Sequence, residues 1–115
     1  MKEALNKSFG DGLDKNWIHP YRWITKVHYY IPDIAYYNFP YTFGALFSRG
    51  LYAKFKKEGT SFIPKYEKLL AATTTNTCEN VASMADINIE EESFWQESLQ
   101  SIDDQIQDFL KELSA

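Results

Sequence analysis

The sequence predicts an all-α fold, an irregular bundle of five to six helices forming a single domain over residues 1–115. Three observations carry that expectation. Apolar residues Phe94, Leu99, Ile102, Ile106, Phe109 and Leu113 recur at steps of three, four and five, with Trp95, Ser98 and Leu110 filling the stripe, so one long amphipathic helix closes the chain. A second long segment, 33–58, carries a start signal at one end and a stop signal at the other. No segment shows the period-two alternation of a half-buried strand.

In chain order, Lys2 to Phe9 is compatible with a short helix, closed by Gly10 to Gly12, where glycine takes the left-handed conformation that ends helices. Pro20 opens a helical turn, and a helix over 20–26 is expected before an irregular stretch holding His28, because Pro32 biases Ile31 away from helix. Asp33 is the expected N-cap of a helix to Glu58, its carboxylate accepting from the first free amides. Lys54, Lys56 and Lys57 suit the carbonyl end and Gly59 stops the helix. Ile34, Tyr37, Tyr41, Ala45 and Leu46 share one side; Phe39, Phe43, Phe47, Leu51 and Phe55 continue round another. Such a helix needs neighbours on nearly all sides, and Pro40 within it should bend the axis.

Thr60 or Ser61 is expected to cap a third helix to about Ala72, with Phe62, Tyr66, Leu69 and Leu70 facing inward. Thr73 to Asn76 form a polar connection, and Asn76 with Glu79 makes a capping-box-like start for a short helix, CENVASM, that stops at Asp86-Ile87-Asn88. Glu90 to Glu92 place acidic charge at the start of the final helix.

Composition excludes several classes. A net charge of −4 and a pI near 5.1 are wrong for a nucleic-acid partner, which needs a basic face. A single cysteine, Cys78, forms no intramolecular disulfide and fits a reducing, cytoplasmic setting. The N-terminus lacks the apolar core of a signal peptide, and no run approaches the roughly 18 apolar residues of a membrane span. Neither HExxH, a Gly-rich phosphate loop, GxSxG nor a zinc-spaced Cys/His cluster occurs, so this chain is expected to bind no metal itself. His19 and His28, nine apart, do not share a helical face.

What is unusual is the rings. Aromatic residues make up 17% of the chain, roughly double ordinary usage, and they crowd into HYYIPDIAYYNFPYTFG at 28–44. Each buried phenol needs a hydrogen-bond partner, so such a run either packs a core or presents hydroxyls to a ligand. Tyr37 and Tyr41 are four apart and would stack on one helical face, their hydroxyls converging; aromatic stripes at helical period are also the ordinary stuff of cores. Both readings stand on spacing alone.

HYYIPDIAYYNFPYTFGALFSRGLYAKF, then FIPKYEKLLAAT, ENVASMADINI and FWQESLQSIDDQIQDFL, resemble the C-terminal end of oligoendopeptidase F, in the thimet-oligopeptidase-like zinc metallopeptidase family. The likeness covers most of the chain from Gly10 onward, with YYNFPYTFG its most specific part. It implies the C-terminal part of a larger, mostly helical zincin peptidase, a metalloendopeptidase acting on short peptides. Its zinc, held by HExxH and a later glutamate, lies on upstream polypeptide not represented here, so the chain alone is expected to be inactive. The resemblance assigns catalytic roles to Tyr41, Tyr37 and His28, which donate hydrogen bonds to substrate and to the oxygen that turns negative in the tetrahedral intermediate. It assigns substrate binding to His28, Tyr30 and Tyr36. Where the family has Gly-Ile-Asp this chain has Asp86-Ile87-Asn88, and threonines 73 to 75 replace a common glycine; aspartate tolerates the left-handed turn. Met1 would fall within a parent helix, as in a fragment, a truncated reading frame or part of a split product.

An alternative of another class is a free-standing helical module whose aromatic groove binds a peptide or protein without catalysis. Under either reading, an aromatic surface lacking its upstream neighbours is expected to drive self-association, through the last helix or the tyrosine face.

Overall fold

The computed structural model describes residues 1–114, of an all-α protein that is 73% helical. Its α-helices are α1 (Lys2–Phe9), α2 (Phe39–Glu58), α3 (Ile63–Ala72), α4 (Cys78–Ser83) and α5 (Glu92–Leu113), with no strand among the described residues. The chain divides into two compact units, Met1–Pro40 and Tyr41–Ala115.

The first unit contains α1 and then a chain of 3₁₀ turns at Gly10–Gly12, Lys15–Trp17, Arg22–Thr25 and Val27–Tyr29. The helix expected over 20–26 is therefore replaced by tighter turns. Tyr21 spends its amide on His19 Nδ1 at 3.2 Å, and Thr25 Oγ1 donates to the Arg22 carbonyl at 2.8 Å, so local side-chain bonds compete with helix propagation. The expected helix start at Asp33 is also displaced. Asp33 and Tyr36 have φ of 65° and 63°, left-handed values that an N-cap does not adopt, and helix begins only at Phe39. Pro40 consequently sits in the first turn of α2, where its missing amide costs no helical bond, and not in the interior where it would kink the axis.

The second unit holds the core: Leu51, Phe62, Leu69, Ala72, Val81, Ala82, Ala85, Ile87 and Phe94, with Phe47, Met84, Ile89 and Trp95 packed against it. The order of elements explains the cluster. Gly59 at φ 66° ends α2, a 3₁₀ turn over Gly59–Phe62 buries Phe62, and Pro64 opens α3. Neither expected cap forms there, since Ser61 Oγ donates back to the Glu58 carbonyl at 2.7 Å. Of the inner-face residues expected on α3, Leu69 is buried but Tyr66 and Leu70 remain exposed. α4 starts at Cys78 as expected, but its cap is Thr77 and not Asn76: Thr77 Oγ1 accepts from the Asn80 amide at 3.4 Å, whereas Asn76 donates to the Ala72 carbonyl at 3.2 Å.

Asp86 adopts the left-handed conformation expected of it, at φ 55°. Its carbonyl and that of Ala85 accept from Lys54 Nζ at 2.8 and 3.0 Å, and its carboxylate pairs with Lys65 at 2.8 Å. Lys65 also reaches Glu58 at 2.9 Å, so the ends of α2 and α4 and the start of α3 share one charged network. The hydrogen bond and charge of Lys65 hold the Asp86 carboxyl below the usual aspartate range. A depressed carboxylate contributes stability that is fully present above about pH 4 and is lost as pH falls through the folded value. Asp86→Asn should therefore unfold at lower urea than the parent chain near neutral pH, with the gap closing as pH falls through the folded value. Equal midpoints near neutral pH would show that the network contributes nothing.

α5 crosses α2 at Gly50, where Phe94 and the fully buried Ser98 lie against the glycine. Lys57–Glu97 at 2.8 Å and Arg49 to Gln105 at 2.7 Å flank the crossing. Trp95 Nε1 donates to the Ile89 carbonyl at 2.8 Å and fixes the approach to the helix. Farther along, Leu99, Ile106, Phe109, Leu110 and Leu113 are exposed, so the amphipathic stripe runs on past its neighbours.

Candidate functional site

Several aromatic residues predicted to matter lie in the first unit. His28 is in the turn Val27–Tyr29 and half-buried, and its carbonyl accepts the Tyr37 amide at 2.8 Å. That bond closes the segment 28–37 into a loop and brings His28 and Tyr37 together. The loop is made by Pro32 and by the two left-handed residues, Asp33 and Tyr36, which reverse the chain.

The helix expected to carry both Tyr37 and Tyr41 does not include Tyr37. Tyr37 precedes α2, whereas Tyr41 lies in its first turn, so the four-residue spacing does not stack their rings on one helical face. Tyr41 belongs to the second unit and is 62% exposed, at the positive end of the α2 dipole. Tyr37 is 41% exposed.

Tyr30 and Tyr36 join Trp23, Tyr29 and Met1 around a hollow of about 570 Å³ within the first unit. Tyr29 and Tyr36 meet edge to face, centroids 6.2 Å apart and planes at 74°. The Tyr30 hydroxyl donates to the Ile24 carbonyl, which fixes the ring and occupies its proton. Trp23 and Tyr29 were not singled out from sequence. The turn geometry that points them inward comes from 3₁₀ segments with no periodic signature, although a tryptophan five residues before the tyrosine-rich run was the available hint.

A second hollow, about 310 Å³, lies wholly within the second unit and is walled by Ser48, Leu51, Tyr52, Phe55, Phe62, Ile63 and Tyr66. Two ring pairs line it, Tyr52–Phe55 and Phe62–Tyr66, each 6.5 Å between centroids, and Lys56 Nζ lies 5.3 Å from the Tyr52 ring centre. It is almost wholly apolar, suited to a side chain and not to a charged group.

Among the described residues, no group of three His, Cys, Asp or Glu is placed to hold a metal ion, so the residues present do not fit a zinc site. No helix among them is long and apolar enough to cross a membrane. Cys78 is exposed in the first turn of α4. Compared with known proteins, the chain matches no family model, no curated protein and no solved structure.

Proposed function

We propose that this chain is the C-terminal, substrate-binding segment of a zinc-dependent oligopeptidase resembling oligoendopeptidase F, acting in the cytoplasm on short peptides. In this reading Tyr41, Tyr37 and His28 supply hydrogen bonds to the substrate and the tetrahedral intermediate, while Tyr30 and Tyr36 line the substrate path. Zinc belongs to the N-terminal catalytic part, the partner without which this chain is inactive. One observation carries the reading: the tyrosines of 30–41 are not sealed in a core, with Tyr36 and Tyr41 more than half exposed. Rings exposed to solvent can be reached by a ligand from outside the chain.

The reading frame upstream of Met1 provides the direct test. An in-frame HExxH supports the peptidase; a promoter and ribosome-binding site immediately ahead of Met1 would sink it. The second reading, a helical module that binds peptide or protein without catalysis, is favoured by the apolar hollow between α2 and α3, which needs no metal to be useful. Both readings share a partner, another copy of the chain, held through the exposed stripe of α5. Sedimentation should show mass rising with concentration, and Ile106→Glu should restore the monomer; a monomer at millimolar concentration without the substitution would remove this partner.

A further inference from the structure

We propose that the free end of α5 in one copy of the chain docks into the hollow that α2 and α3 wall in a second copy, a seat that rests on the self-association through α5 proposed above. Ile106, Phe109, Leu110 and Leu113 fall at i, i+3, i+4 and i+7, the anchor spacing of an amphipathic helix lying in an apolar groove, and all four are exposed. The hollow of about 310 Å³ offers such a groove, with Leu51, Phe55, Phe62 and Ile63 in its wall. No residue of α5 lines it, so the chain does not fill it with its own stripe.

Charge selects this seat over a second α5. Residues 48–68, which supply the whole wall of the hollow, carry six basic side chains against two acidic ones, whereas residues 90–113 carry eight acidic side chains against one basic. Lys54, Lys57 and Lys65 are committed to carboxylates of their own chain. Lys56 is exposed and lies over the Tyr52 ring in the wall, and Lys68 is exposed two residues beyond Tyr66. On α5, Asp103, Asp104, Asp108 and Glu112 flank the apolar anchors, and Lys111, the one cation of the helix, is paired with Asp108 at 3.1 Å. Two α5 helices laid stripe to stripe would bring these carboxylates against the same carboxylates of the partner, which costs free energy, whereas the lysine-rimmed hollow meets them with opposite charge. The contact joins two different patches, so every copy carries one tail and one seat.

Sedimentation of variants, alone and mixed, reads the two patches separately. Ile106→Glu places a charge in the tail and Ile63→Glu places one in the seat. Ile63 is exposed in the first turn of α3, where a carboxylate suits the helix dipole, so the fold is expected to persist, with the far-UV spectrum as the check. Each variant alone should associate on the order of tenfold more weakly than the parent. An equimolar mixture of the two should regain a one-to-one complex that neither forms alone, because the intact tail of one meets the intact seat of the other. Lys56→Glu, which alters only the exposed rim, should weaken association about threefold, and it takes the place of Ile63→Glu if that chain does not fold. Association of the parent should weaken as salt rises from about 50 to about 500 mM, whereas an α5–α5 pair would tighten as its like charges are screened. Parent-like association of a folded seat variant, no complex in the mixture, or association that tightens with salt would overturn the seat and leave self-association through α5 in place. A parent chain that stays monomeric at about millimolar concentration would sink both.

Discussion

Gly50→Ala is expected to destabilise the chain by about 1 kcal/mol, whereas Gly44→Ala, six residues earlier on the same helix, should stabilise it by about 0.5–1 kcal/mol. The chemical change is identical and the surroundings differ. A Cβ at Gly50 would lie 2.3 Å from Phe94 Cε2, 2.4 Å from its Cζ and 2.6 Å from Ser98 Oγ. Phe94 and Ser98 are buried, and the serine hydroxyl is held by the Phe94 carbonyl at 3.0 Å, so neither can swing aside. Accommodation requires α2 and α5 to separate, and overpacking of this kind costs about 1–3 kcal/mol, enough to outweigh the roughly 1 kcal/mol that alanine gains over glycine in a helix. At Gly44 nothing lies within 4 Å, and only the propensity gain remains. Urea midpoints at unchanged slope measure both effects. A Gly50→Ala chain as stable as its parent would mean that the helices do not cross there.

Tyr41→Phe, made in the full-length enzyme that the proposed function implies, should lower kcat by about two to three orders of magnitude with little change in KM. The reason is that a phenol aimed at a developing oxyanion does little for the neutral carbonyl of the bound peptide and much more once the oxygen carries charge. Tyr41 is suited to this because α2 begins at Phe39, which puts the residue in the first turn, beside amides without helical acceptors. Replacement by phenylalanine keeps the ring and removes one oxygen from a side chain exposed to solvent, and the far-UV spectrum checks that the fold is retained. Steady-state turnover of a short peptide is the measurement. An unchanged rate would remove Tyr41 from the chemistry and leave its ring as a packing group for substrate.

The helical class was legible because α5 and the later part of α2 carry regular apolar spacing and charged ends, and Gly59 and Asp86 take the backbone conformations their positions demanded. The first forty residues were not. Their structure is set by His19 capturing an amide, by the His28 carbonyl accepting from Tyr37, and by left-handed residues at 33 and 36, none of which leaves a periodic trace. The error at Asp33 followed from reading a turn-forming aspartate as a cap, since the same residue type favours both. Its consequence was placing Tyr37 inside the helix that holds Tyr41. The grouping of Trp23 and Tyr29 with Tyr30 and Tyr36 depends on the same turns, which no spacing in the sequence marks.

Cys78 offers something of practical use. As the one thiol of the chain, exposed where α4 begins and three residues before the buried Val81, it accepts a maleimide fluorophore at a unique and known address. A dye there would dim or brighten as the adjacent packing loosens, while indole emission blends three tryptophans, so the labelled molecule carries its own local gauge of melting.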